Sequence, residues 1–201
     1  MSDFETAAAL ETPLHYFLGR TSGDSTVGGV VIREAPALGH LVLRGNPDDQ
    51  EFARGVESVV GVGLPQETGA FERSGDVAIY CLGPDEWLVI VPGGTEGDTE
   101  SRLRQVLSGH FSVVDVSSGQ ALVNLSGSFA DRMLKKSCVY DFSPTNFKPG
   151  HCVQTTFAKA TALVAKNSDG TFDLVFRRSF ADYLAVWLLD AGAEYGCRID
   201  D

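Results

Sequence analysis

Four histidines, four cysteines, a pair of adjacent acids and a pair of adjacent arginines are where this chain of 201 residues could do chemistry. His15, His40, His110 and His151 fall in four separate segments. None stands at an i, i+4 or strand-alternating distance from another ligand type, so each reads as a surface or structural histidine rather than a metal or catalytic group. Cys81, Cys138, Cys152 and Cys197 are far apart with no CxxC pair, which reads as ordinary thiols, not a zinc site or a disulfide framework. Asp85 and Glu86 could be imagined as an acid/base pair. Neighbours on an extended chain point to opposite faces, however, and beside Gly83-Pro84 a turn-forming role is simpler. Arg177 and Arg178 close an apolar run, at a surface edge where a guanidinium could fork onto a carboxylate, with Ser179 as a helix cap. Asp141, two residues before Ser143-Pro144, either caps a turn or stands in a pocket between two halves of the chain. No GxSxG elbow, Walker loop or GxGxxG opening a helix is present, so a nucleotide fold is not supported.

Composition narrows the classes. Hydrophobic residues at 43% and charged residues at 21% are those of a globular domain. A net charge of −11 opposes a nucleic-acid partner, since phosphate contacts need clustered Lys and Arg. The segment MSDFETAAALETPLHYFLG has acids and no basic n-region, and no apolar run approaches a membrane helix in length. The expectation is a cytoplasmic chain with no membrane partner.

The elements that must position these residues follow from periodicity. Residues 1–28 end in GRTSGDSTVGG and read as an arm over the surface, with Tyr16 and Phe17 as candidate interface anchors because a solvent-facing tail has little reason to hold them together. Residues 29–201 read as one domain in two halves, about 29–109 and 110–201. The first half has strands near Val30 and His40, then a helix over 46–60 with Pro47 in its first turn and Phe52, Val56, Val59 and Val60 as its stripe. Next, GPDEWLVIVP joins apolar runs 77–82 and 87–91 as a hairpin with a loop longer than the two-residue kind, and a short helix covers 99–107. Trp87 there is a packing anchor or an interface residue. The second half repeats the order: strands at 113–116 and 121–125, a helix capped from Ser126, strands at 153–164 and 172–176, and a helix from Ser179 with Phe180, Tyr183, Leu184, Trp187 and Leu188 on its apolar side. The fold class is therefore α+β: two pseudo-repeated ferredoxin-like β-α-β-β-α halves with antiparallel sheets and helices on one face.

The segments GPDEWLVIVP, VVDVSSGQALVNLSGSFADRML, DFSPTNFKPGHC and FRRSFADYLAVWLLDAG resemble, in order, those of the gamma subunit of heterotetrameric sarcosine oxidase, from about Thr12 to Gly196. A wider kinship with the folate-binding region of the glycine-cleavage aminomethyltransferase is carried by DVS, Ser126-Gly127, Asp141 and Pro149-Gly150, which implies a folate-binding-domain-like fold. The resemblance implies a non-catalytic structural subunit of a cytoplasmic complex that oxidatively demethylates sarcosine to glycine with tetrahydrofolate and oxygen. Its partners would be alpha, the nearest, with beta and delta. FAD, FMN, NAD, tetrahydrofolate and zinc would belong to those partners and no cofactor to this chain.

By the same resemblance Asp141 takes the place of a folate-contacting Asp, with Arg178 near it as a second pocket candidate. Tyr140 replaces the usual preceding Asn, and Ser179-Phe-Ala-Asp-Tyr replaces a glycine-rich turn. Interface candidates are Tyr16, Phe17, Trp87 and Arg177. Two alternatives stand beside this reading: a gamma-like subunit of a related N-methyl amine or N-methylglutamate dehydrogenase complex, and a stand-alone folate-dependent aminomethyl or methylene transferase.

Overall fold

The computed structural model describes residues 11–24 and 29–200. The chain enters through β1 (Thr21–Ser22), β2 (Val30–Glu34) and β3 (Leu38–Arg44), then α1 (Gln50–Val60). The helix begins four residues later than the start at 46 expected from Pro47 in a first turn. Asp49 is the N-cap, its carboxylate accepting from the Glu51 and Phe52 amides, so Pro47 lies in the preceding turn and not in the helix. Phe52, Val56 and Val60 are buried as the stripe requires, and Gly61 closes the helix at φ 78°.

The hairpin that follows has three strands rather than two. β4 (Phe71–Ser74), absent from the sequence reading, pairs with β5 (Val77–Gly83), which pairs with β6 (Glu86–Pro92). Gly83 pairs with Glu86, so only Pro84 and Asp85 make the turn. The loop is thus the tight kind, and the extra residue appears instead as a bulge between Cys81 and Gly83. After α2 (Glu96–Val106), strand β7 (Ser112–Asp115) pairs with β3. The five-stranded sheet has the order β4-β5-β6-β3-β7. Without the edge strand β4, this is the ferredoxin-like arrangement.

The second sheet repeats it with an insertion. β8 (Gln120–Ser126), α3 (Ala130–Ser137), β9 (Cys152–Phe157), β10 (Ala160–Lys166), β11 (Phe172–Arg177), α4 (Ala181–Gly192) and β12 (Cys197–Asp200) follow in chain order. The sheet order is β1-β12-β2-β8-β11-β10-β9, so β2 lies between the last strand and the first of the repeat, parallel to β12 and antiparallel to β8. The run 153–164 expected as one strand is broken at Ala158-Lys159, where Phe157 pairs with Ala160 and Ala158 adopts φ 53°. Neither serine expected as a cap makes a capping bond. Ser126 ends β8 and bonds the Val31 carbonyl, and Ser179 sits in a 3-10 turn before α4. Phe180 and Tyr183 are partly solvent-facing, which leaves Leu184, Ala185 and Leu188 as the buried side of α4.

Strand alternation divides the core into three layers of side chains. Ile79, Trp87 and Val89 face α1 and α2; Val123, Leu174 and Phe176 face α3 and α4. The opposite faces, with Tyr80, Leu88, Ile90, Leu163 and Val175, pack sheet against sheet. The molecule is therefore helices, sheet, sheet, helices. Leu14 and Phe17 lie in the α3/α4 core, and β1 pairs with β12, so the described part of the arm is built into the second sheet.

Candidate functional site

Where the two sheets part at one end, a cleft of about 550 Å³ opens between the start of β3, the start of α2 and the turn before β8. His40 forms part of its floor at 2% exposure. Its Nδ1–H donates to the Leu38 carbonyl, 3.1 Å away, and because a carbonyl only accepts, this fixes the tautomer and leaves Nε2 as a bare acceptor. Burial pushes the imidazole below its ordinary pKa, outweighing the opposing effects of the Leu38 carbonyl and the Asp115 and Glu96 carboxylates, so the ring is neutral at pH 7. The His40 amide donates to Ser117 Oγ at 2.9 Å, tying β3 to the turn before β8.

Glu96, the first residue of α2, is a second wall. Gly39 makes room for it: a Cβ at Gly39 would come within 2.8 Å of the Glu96 Cβ and 3.0 Å of Oε2. Both His40 Nε2 and Glu96 Oε2 are buried without a hydrogen-bond partner. Arg178, on the 3-10 turn before α4, also lines the cleft and is exposed.

Asp141, the other folate-pocket candidate, does not line this cleft. It is exposed, accepts from the Ser143 amide and hydroxyl at 2.9 Å each, and its pKa is held below the ordinary carboxylate value by those two bonds. It shapes a turn, which is the simpler of the two roles its sequence allows. Among the interface candidates, Tyr16 is 70% exposed and Arg177 is exposed, whereas Phe17 and Trp87 are not available to a partner. Phe17 packs in the α3/α4 core. Trp87, at 0% exposure, packs against Phe52 and donates Nε1–H to the Pro65 carbonyl at 2.8 Å. The apolar run that follows the Gly-Pro turn buries Trp87 by burying its strand, whereas Phe17 is buried where the arm packs into the second half.

The most elaborate polar cluster is one that sequence reasoning passed over. Asp173, 3% exposed on β11, faces the other sheet. One carboxylate oxygen accepts from Asn124 and Asn167 at 3.0 Å each; the other accepts from Tyr80 at 3.3 Å and from Arg73, which also reaches the Tyr80 hydroxyl at 2.7 Å. Arg73 and Tyr80 come from β4 and β5, Asn124 from β8, so the cluster clamps the two sheets together. Burial and the Asp173 carboxylate push the Tyr80 phenol well above its ordinary pKa, and it stays protonated. A lone acid inside the apolar run FDLVF was the signal that could have found this cluster, and the histidine in GHLVLR was the corresponding signal for the cleft.

Chemically, the described residues offer a hydrogen-bonding cleft and a structural clamp. No group of three metal-ligating side chains occurs among them, and the four cysteines are buried. The comparisons with known proteins agree along nearly the whole length. The model of the sarcosine oxidase gamma subunit family matches residues 44–194. The gamma subunit of sarcosine oxidase from Corynebacterium sp. (strain P-1) is 32% identical over 193 residues, covering 95% of this chain and 94% of that one. A chain of the heterotetrameric sarcosine oxidase of Corynebacterium sp. U-96, solved with pyrrole 2-carboxylate, superposes with a TM-score of 0.81 at 25% identity over 92% of this chain and 96% of that chain. The glycine-cleavage aminomethyltransferase T of Bartonella henselae shares the fold at a TM-score of 0.64 and 11% identity, with 96% of this chain covering 60% of that one. The chain belongs to the sarcosine oxidase gamma subunit family.

Proposed function

We propose that this chain is the structural gamma subunit of a cytoplasmic heterotetrameric sarcosine oxidase, docked mainly on the alpha subunit beside beta and delta. The redox chemistry then rests on FAD, FMN, NAD, tetrahydrofolate and zinc held by the partners, with no cofactor on this chain. The observation that carries the reading is alignment over 95% of the chain, and 94% of the relative, with a sarcosine oxidase gamma subunit. The geometry supports a structural role. Asp141 serves its own turn, Asp173 is surrounded by donors that hold two sheets together, and Cys81, Cys152 and Cys197 are poor nucleophiles because burial raises their thiol pKa, to about 12 for Cys152 and about 11 for Cys197. A stand-alone folate-dependent transferase would need Asp141 to face an apolar pocket, and its carboxylate is instead spent within an exposed turn.

The test is coexpression of the tagged chain with its neighbouring genes. A stoichiometric, yellow complex with large flavoprotein subunits that oxidises sarcosine is the expected result, with the isolated chain colourless. Oxidation of N-methylglutamate or another N-methyl amine by that complex would move the chain to a related assembly. Elution alone, with tetrahydrofolate binding that Asp141→Asn abolishes, would replace the scaffold reading by the transferase.

A further inference from the structure

The cleft at the open end of the sheets is polar in an asymmetric way. Two of its lining residues carry a buried acceptor without a donor: His40 Nε2, left bare because Nδ1–H is committed to the Leu38 carbonyl, and Glu96 Oε2. Both are buried and neither has a partner, a state that costs free energy unless something supplies the missing hydrogen. A third lining residue is a donor without an acceptor. Arg178 makes no side-chain hydrogen bond or ion pair among the described residues. Ala35, Pro36 and Leu122 are apolar lining residues of the same cleft, and the space of about 550 Å³ suits a small molecule.

We propose that this cleft binds a small zwitterionic amino acid, its amine directed to His40 and Glu96 and its carboxylate to Arg178. An amine with two N–H groups satisfies both orphaned acceptors at once, and a negative charge at Glu96 favours its protonated form. A guanidinium matches a carboxylate in a two-bond fork. Glu34 cannot compete for the amine as freely, because both its oxygens already accept from the Leu14 amide, at 3.0 and 3.2 Å. Gly39 belongs to the site as well: any larger residue there would displace the Glu96 side chain. The inference does not depend on the scaffold reading, since it concerns a cleft that the chain forms by itself.

The full-length chain is titrated with glycine and with N-methylglycine, and with acetate and methylammonium as single-charge probes. Calorimetry reads affinity, and the nitrogen shift of the His40 ring reads occupancy of Nε2. Saturable binding of the zwitterions is expected, with each single-charge probe weaker by roughly tenfold or more, because part of the cleft then goes unpaired. Arg178→Gln and Glu96→Gln are each expected to weaken glycine roughly tenfold; the thermal melt should be unchanged for the exposed Arg178 and not lowered for Glu96, where a buried unpaired charge is removed. The His40 nitrogen should move with glycine and stay still with acetate. No saturable change with either zwitterion overturns the proposal and leaves His40 Nε2 and Glu96 Oε2 joined by a trapped water. Equal affinity for acetate and glycine, or indifference to both substitutions, overturns the amino-acid assignment too. Capture of the partner subunits by the two variants is measured alongside; it is expected to be normal, so a failure of this site and a failure of the scaffold reading give different results.

Discussion

Replacing Asp173 by alanine removes the one acceptor on which donors from both sheets converge. Tyr80 is fully buried and Asn124 and Asn167 are half-buried, so their donors lose a partner in a place water reaches poorly. The Arg73 side chain is 36% exposed and can rehydrate, so its loss costs less than theirs. Breaking a buried, charge-assisted cluster from its acceptor side costs about 3–5 kcal/mol. For a chain of this length that corresponds to a fall in Tm of roughly 6–20 °C. Arg73→Ala keeps Tyr80, Asn124 and Asn167 on the carboxylate and should cost about 1–3 kcal/mol. Urea unfolding is followed by tryptophan fluorescence, with Trp87 packed against α1 in one half and Trp187 on α4 in the other. Because the clamp spans both sheets, Asp173→Ala should lower the midpoint for both reporters. A loss below about 1 kcal/mol, or Arg73→Ala costing more than Asp173→Ala, would refute the assignment of Asp173 as the centre of the clamp.

Four further outcomes follow from the same packing. His40 is neutral in the fold because burial depresses its pKa below 6.5, so the unfolded chain binds the extra proton; stability present above 6.5 is lost as the pH falls through the depressed folded value, and His40→Gln should flatten that part of a stability-versus-pH curve. Cys152 and Cys197 have the opposite sense: their thiols are pushed up to about 12 and about 11 from 9.0, so stability intact below 9 declines as the pH rises toward those values, and an aromatic disulfide reagent at pH 8 should label the native chain far more slowly than the urea-unfolded one. Trp87→Ala should cost about 3–5 kcal/mol in a melt, and acrylamide should quench Trp87 less than the partly exposed Trp187 in single-tryptophan variants. Ala158→Gly should raise stability by a few tenths to about 1 kcal/mol, since φ 53° strains a residue with a Cβ; a lower midpoint in urea would count against strain there.

The first half was legible where local chemistry decides the structure. In GPDEWLVIVP, proline and glycine mark the turn and unbroken apolar residues mark a strand buried on both faces, as β6 is between the α1/α2 core and the other sheet. The bulge between Cys81 and Gly83 was not legible, because register depends on the partner strand. The Ala158-Lys159 turn carries no glycine, asparagine or proline, so the run 153–164 read as continuous although it folds back on itself. β12 and β1 are short and owe their existence to pairing with β2 and with each other, contacts that no local window contains. The cleft was hidden for a related reason. His40, Glu96 and Arg178 lie far apart in sequence, and it is the crossing of elements from both halves that assembles them.

That crossing also bears on how such a subunit can meet a partner. β7, the first strand of residues 110–201, hydrogen-bonds into the sheet of residues 38–92, while β2 completes the sheet of residues 120–200. An isolated ferredoxin-like unit has one sheet face covered by helices and one left bare, a natural platform for a ligand or a second protein. Here the two bare faces cover each other, with Tyr80, Leu88 and Ile90 against Leu163 and Val175, and the Asp173 clamp is buried between them. Both platforms are consumed within the chain. What remains to face a partner are helices, strand edges and loops. Those are the places where apolar side chains do reach solvent: Val139 after α3, Val186 on α4 and Tyr16 of the arm at 99%, 58% and 70% exposure. Sheet-against-sheet burial thus has two consequences from one cause. It gives the chain a central core layer between the two sheets, and it leaves the helix layer and the arm, not the broad sheet faces, open to solvent.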